Sequence, residues 1–290
     1  MVLGDGIRRN ISTIPEEEQI RFRDAILKLH TDKSYPDGVS HWFKQDQIHQ
    51  ATHVHGGPAF LPWHRYLINE FEELLREVDP ELSLHYWDFK ENPEDIKLLG
   101  PNGIMGDSHG LLKTPWDIIH NKDVFEGSRN QTQNPADPPQ SVSLNLNMFF
   151  QFPQDEAIVE VGDDDEEVNQ WFLFRGELEA WHGSAHGVLG GTIGSAHQAF
   201  EHPMVFLLHS NIDRLWAKWQ LKPGKDWRLD PERIYGFEST HPEITENMEP
   251  WAGGTSHPDQ KMRPWGSDVP AEMVTSKDPS IVTNVPKYDI

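Results

Sequence analysis

The residues best placed to do chemistry in this sequence are histidines. His55 and His64 close the two ends of HGGPAFLPWH, and His182 and His186 stand one helical turn apart in WHGSAH. A four-residue separation on a helix points both imidazoles the same way from adjacent turns. His209 lies inside the apolar run MVFLLHSN, where a polar ring needs a partner or a metal. His182, His186 and His209 can therefore give three imidazoles to one metal, and His55, His64 and one earlier histidine can give three to a second. Imidazole ligation without a carboxylate suits copper, zinc or nickel better than magnesium, calcium or a carboxylate-bridged iron pair. Glu179 and His182 have the spacing of a di-iron helical bundle, but no second such pair occurs. His30, His85, His109, His120, His241 and His257 read as surface or hydrogen-bonded core residues.

Helices must hold these rings. From His64 the apolar positions Leu67, Ile68, Phe71, Leu74, Leu75 and Val78 recur at helical spacing between charged residues, so His64 sits on a buried face. Pro62 and Trp63 fit the first turn, where a missing N–H costs nothing. Ser12, Thr13 and Pro15 before the acidic run Glu16–Glu18 open an earlier helix, expected to reach about His30 and to bury Ile20, Ala25, Ile26 and Leu29. A second helix is expected from about Ser40 to Ile48. Two long ones are expected over about Asn169–His186 and from near Glu201-His202-Pro203 to Gln220. Residues 79–116 read as mostly irregular, 126–142 as an exposed loop, 162–167 (GDDDEE) as a solvated acidic loop, and 187–197 as a Gly-rich loop without a phosphate-binding pattern. The last 70 or so residues read as loop-rich. The fold class expected is mainly α: one domain over 1–290, with a central four-helix bundle holding a dinuclear site. The two ligand-bearing regions fall at about 40–78 and about 170–220.

Composition narrows the function further. A net charge of −22 argues against nucleic acid and anionic membrane as partners. The absence of cysteine excludes disulfides, thiolate zinc, iron–sulfur clusters and covalently attached haem. The opening MVLGDGIRRN lacks the apolar core of a signal peptide, and no stretch approaches a membrane span, so a cytoplasmic location is the default expectation.

HGGPAFLPWHR at 55–65, WHGSAH at 181–186 and HPMVFLLHSNIDRLWAKWQ at 202–220 resemble, together and in order, the two copper-binding regions of the tyrosinase and catechol oxidase (type 3 copper) family. LHYWDF at 84–89, RRN at 8–10 and Tyr288-Asp289-Ile290 extend the resemblance over nearly the whole chain, most closely to the short bacterial and archaeal enzymes. No counterpart of a C-terminal shielding domain is evident. The resemblance implies a dicopper centre in a four-helix bundle. His55 and His64 match two ligands of copper A, and His182, His186 and His209 those of copper B. The remaining copper A ligand is implied to be His49, at the end of WFKQDQIH, with His41 as the alternative. His53 falls where fungal relatives carry a cysteine cross-linked to a ligand; that thioether is absent here.

The resemblance also implies roles around the metals. Glu179 matches a glutamate that holds a water, and Gly183 stands where the more active monophenol hydroxylases often have Asn. Ala196 aligns with a position that gates the site, its small side chain implying an open mouth. Asn211 and Asp213 are implied to orient an imidazole or the helix end. Leu208 replaces the first of two adjacent histidines, and His202 replaces an Asp before the helix-opening Pro. The implied reaction uses O₂ to hydroxylate monophenols ortho to the hydroxyl and to oxidise o-diphenols to o-quinones. Tyrosine and catechols are the expected substrates, and a copper-delivery protein is a possible partner. Alternatives are a catechol oxidase with little monophenol activity and a hemocyanin-like oxygen carrier. A dinuclear zinc hydrolase would need ligating carboxylates that are not at ligand spacing. A helical protein with purely structural histidines would leave the spacing unexplained.

Overall fold

Apolar residues at helical spacing set each long segment of the chain. The computed structural model describes residues 4–32, 34, 39–52, 54–107, 111, 114–116, 142–145, 151–195, 198–248 and 274–290. Its helices are α1 (Glu16–Thr31), α2 (His41–Thr52), α3 (Phe60–Val78), α4 (Asp155–Val159), α5 (Glu167–Leu189), α6 (Met204–Gln220), α7 (Pro242–Thr245) and α8 (Pro279–Val282). Among the described residues there is no sheet, only isolated bridges such as Arg8 with Tyr288 and Asn10 with Tyr86. None of the described helices is long and apolar enough to cross a membrane. The mainly helical expectation holds.

The expected helices are present with shifted ends. α1 starts at Glu16 with Pro15 as its cap; Ser12 instead pairs with Asn10 and Glu91. Its buried face is Phe22, Ala25, Ile26, Leu27 and Leu29, whereas Ile20 is only half-buried. α5 runs a turn beyond His186, and α6 starts later than expected, after a 3₁₀ turn at Ala199–Glu201. Of the loop expected at 126–142, residues 126–141 lie outside the described residues, and Val142 is in the core. The acidic segment 162–167 is not simply solvated: Asp163 is half-buried in an ion-paired cluster with Arg228 and Lys222. Lys222 and Arg228 hold its carboxyl below the usual carboxylate range against the opposing effect of burial.

α2, α3, α5 and α6 pack around one another, with α1 against α2 and α3. α3 and α6 form the central pair. Phe71 of α3 stacks on Phe206 of α6, and a buried ionic cluster lies where the two helices cross. In that cluster Asp213 accepts from Arg65, from Tyr288 Oη at 2.7 Å and from Arg8 at 3.2 Å, while Arg8 also pairs with Glu72 at 2.7 Å. Arg65 donates to Gln220 at 2.7 Å and lies over the Trp216 ring, 3.5 Å from its centroid. Arg8 from the start of the chain and Tyr288 from its end thus meet on the bundle. Burial alone would raise the Glu72 carboxyl, but Arg8 outweighs it and holds the group below its ordinary value.

A different buried carboxyl has no such cation among the described residues. Glu201 is 2% exposed. Burial, with repulsion from Asp46 of α2, pushes it up to about 9. Its folded value lies above its ordinary value of 4.5, so the stability linked to its proton is fully present below about pH 4.5 and is lost as pH rises toward 9. Glu201→Gln keeps the shape of the neutral acid. It should raise the melting temperature at pH 8 by a few degrees, about 1 kcal/mol or more, with the gap closing near pH 5. A gap independent of pH would contradict this account.

Candidate metal centre

Each imidazole is delivered by a helix or by the loop tied to one. His49 lies in the C-terminal half of α2, His64 in the second turn of α3, His182 and His186 on adjacent turns of α5, and His209 in the middle of α6. His55 sits on the loop entering α3. These residues form two groups, His49–His55–His64 and His182–His186–His209, each with one ring nitrogen per residue within 4.8 Å of the others. The groups face each other: the rings of His64 and His209 stack at 4.5 Å, and those of His55 and His182 at 5.8 Å. One dinuclear centre results.

Helix geometry brings His49, and not His41, beside His55 and His64. His41 is in the first turn of α2, two turns before His49, which at 1.5 Å per residue is about 12 Å away along the axis. It belongs to neither group. Ala196, like His53, lies outside the described residues.

Hydrogen bonds fix which nitrogen two of the rings present. His64 Nδ1 donates to the Phe60 carbonyl at 2.7 Å, and His186 Nδ1 donates to the Ile193 carbonyl at 2.6 Å. A carbonyl can only accept, so these Nδ1 atoms carry the protons and the Nε2 lone pairs point into the site. His64 Nε2 is buried with no hydrogen-bond partner. His182 Nε2 lies 2.9 Å from His186 Nε2 and 3.3 Å from His209 Nε2. Three ring nitrogens brought this close are stabilised by a cation at their focus. Burial lowers His64, His182 and His209 well below the usual histidine range, and His186 to about 4. The rings are neutral at pH 7, as ligation requires.

The Gly-rich segment after α5 thus positions a ligand: it folds back to place the Ile193 carbonyl on His186. Gly190 makes the reversal at φ +58, and an added Cβ would stand 2.4 Å from the Ser143 carbonyl oxygen. Phe60 packs 4.7 Å from His64 and 4.8 Å from His182, and Phe200 packs 4.7 Å from His49 and 5.1 Å from His209. These rings keep water from the ligands. Their part in the site was missed from the sequence, although Phe60 stands one turn before His64 in the very motif that marks the centre. His49, His64, His182 and His209 are buried, whereas His55 and His186 are half-buried, which puts the mouth on their side.

Glu179 lies one turn before His182. Its Oε1 accepts the Gly56 N–H at 2.6 Å, and its Oε2 accepts no hydrogen bond among the described residues. Burial raises its carboxyl above the ordinary value. Gly183 is exposed, and an added Cβ would meet nothing within 4 Å. Among the described residues, the side-chain bonds of Asn211 and Asp213 go to groups other than the imidazoles. Asn211 accepts from Arg214 at 2.7 Å, and Asp213 is committed to Arg65, Arg8 and Tyr288. Asp213, one turn after His209, ties α6 to α3 and to residues 8 and 288, and Asn211 is bonded within α6 itself. His202, beside the start of α6, is also structural: its ring accepts the Met204 N–H at 3.2 Å.

A helical bundle presenting two facing sets of three imidazoles, with no carboxylate among them, defines a dinuclear site suited to copper, zinc or nickel rather than to a hard cation. Residues 26–222, about two thirds of the sequence, match the family described as "Common central domain of tyrosinase". A tyrosinase-like protein of Caenorhabditis elegans is 26% identical over 256 residues, 80% of this chain and 33% of that protein, so the chain spans a third of that relative's length. A tyrosinase of Streptomyces glaucescens is 24% identical over 289 residues, covering 92% of this chain and 95% of that one. Among solved structures, a functional unit of octopus hemocyanin shares the fold with a TM-score of 0.61 at 18% identity, over 98% of this chain and 67% of that one. The chain belongs to the tyrosinase family, and six of its histidines, in two facing triads, fit a dinuclear copper site.

Proposed function

We propose that the protein is a type 3 copper oxidase that uses O₂ to hydroxylate monophenols ortho to the hydroxyl and to oxidise o-diphenols to o-quinones. The observation that carries this reading is the pair of facing imidazole triads in a chain that spans 95% of a Streptomyces tyrosinase. Small phenols, tyrosine and catechols, are the substrates it implies. Copper, when bound, supplies the one-electron redox changes through which O₂ accepts electrons from the phenol.

The chain's own residues do the rest. The aromatic walls at Phe60 and Phe200 exclude water from the buried ligands, and the mouth beside His55 and His186 admits a flat ring. A phenol must lose its proton before ortho attack. In this reading Glu179 holds the accepting water through Oε2, and its Oε1 accepts the Gly56 N–H. A carboxyl raised by burial is a stronger base than an exposed one, which suits that role. With four ligands buried, metal enters past His55 and His186, and a copper-delivery protein docking at that mouth belongs to the same reading.

Gly183 sets the balance between the two activities. It offers no amide to orient the water on Glu179, so hydroxylation should be present but slow relative to catechol oxidation. Gly183→Asn has open space to enter. One added hydrogen bond is worth roughly 1–3 kcal/mol, so the ratio of monophenol to diphenol turnover should rise about tenfold. Glu179→Gln should move that ratio the other way. Ratios unmoved by both variants would assign the base to another group and favour a plain catechol oxidase.

A further inference from the structure

α3 is the helix that carries His64, yet it does not cap itself. Its N-cap residue, Ala59, makes no side-chain cap, and its first turn holds no acidic residue. Pro62 has no N–H and Phe60 donates to the Gly57 carbonyl at 3.3 Å, so the Ala59 and Leu61 N–H groups and the positive end of the helix dipole are left for an acceptor from elsewhere. It comes from 184 residues away: Glu243 Oε2 accepts the Ala59 N–H at 3.4 Å. The same carboxylate lies on the face of Gly57 so closely that an added Cβ would stand 2.0 Å from Oε2. One residue before Gly57, the Gly56 N–H is held by Glu179. The segment between His55 and His64 is thus gripped by two carboxylates from separate elements.

Glu243 is itself held in place. On α7 its N–H is accepted by the His241 ring at 3.2 Å, its carbonyl accepts from Ser276 Oγ at 3.3 Å, and Ile244 beside it is fully buried. A second contact ties the same C-terminal segment to α3, with Trp63 Nε1 donating to the Met248 carbonyl at 3.2 Å. His241, Glu243, Met248 and Ser276 all lie beyond residue 222, outside the region that matches the family domain.

We propose that Glu243 is a positioning residue for the copper held by His49, His55 and His64: it caps α3 from outside and fixes the loop that aims His55. The inference rests on those histidines as copper ligands and not on the oxidation of phenols.

Copper affinity tests it directly, by competition with a chromophoric chelator. In a His182→Ala background, where the first triad alone holds copper, Glu243→Ala should weaken binding about tenfold. Gly57→Ala displaces the carboxylate by the new methyl group and should weaken it to a similar degree. Both changes remove one contact, so the double variant should be no weaker than the worse single one. Glu243→Gln keeps an oxygen acceptor without the charge and should fall between parent and Ala. In a His64→Ala background, where only the other triad holds copper, Glu243→Ala should leave affinity unchanged. Equal weakening in both backgrounds would make Glu243 a general stabiliser and overturn the proposal, as would unchanged affinity in the first background or additive effects of Glu243→Ala and Gly57→Ala. Copper binding is read whether or not a catechol is oxidised, so a failure here is separable from a failure of the oxidase reading.

Discussion

Replacing His64 by alanine should leave a protein that binds one copper ion per chain instead of two and has lost its oxidase activity altogether. His64 presents a buried Nε2 with no hydrogen-bond partner, its Nδ1 being committed to the Phe60 carbonyl. Removing the ring leaves one metal with two imidazoles, and no carboxylate or cysteine belongs to the group to replace it. His209→Ala should do the same to the other metal. His49→Ala should match His64→Ala, whereas His41→Ala should keep both metals, since His41 lies two turns away on α2. Metal analysis after equilibration with copper checks all four variants. A His49→Ala chain that retains two copper ions would remove His49 from the ligand set.

The second large effect concerns stability rather than chemistry. Asp213→Ala should destabilise the fold by about 3–5 kcal/mol, the usual range when one partner of a buried ion pair is deleted. Asp213 is 3% exposed and receives Arg65, Arg8 and Tyr288. After its removal Arg8 still has Glu72, but Arg65 keeps only neutral acceptors, the Gln220 side chain and the Ile281 carbonyl. A guanidinium stranded in the core between α3 and α6 is the source of the cost. The melting temperature should fall by roughly 10 °C. Copper at saturation should still reach two per chain, because Asp213 touches no imidazole. A loss below about 1 kcal/mol would show that water reaches Arg65 once the carboxylate is gone, and would contradict a stranded charge as the source of the cost.

These two predictions mark the boundary between what could be read from the sequence and what could not. His182 and His186 were legible because a four-residue separation on a helix is a local geometric fact. His64 was legible because the apolar period around it named its face. His209 was legible because a polar ring inside MVFLLHSN lacks any local partner. Donor type narrowed the metal to copper, zinc or nickel and the motif resemblance singled out copper, while the helices followed from their periodicity.

Long-range contacts were not legible. Asp213 one turn after His209 looked like a group that orients a ring, yet its partners come from residues 8, 65 and 288, which nothing local announces. The Ile193 carbonyl on His186 depends on a chain reversal at Gly190 that spacing alone does not reveal. The run GDDDEE read as solvated because charge runs usually are, and Asp163 departs from that only because Arg228 and Lys222 pack beside it. Glu243 sits in a stretch that read as loop, and its contact with α3 spans 184 residues.

Oxygen uptake by the copper-loaded protein, with a catechol and then with the matching monophenol, tests the central claim most directly. The account predicts sustained consumption over many turnovers, faster with the catechol, with one O₂ used for every two catechols and both oxygen atoms leaving as water. Uptake that stops once each copper pair has taken a single O₂, and that reverses when oxygen is withdrawn, would contradict it and make the molecule an oxygen carrier.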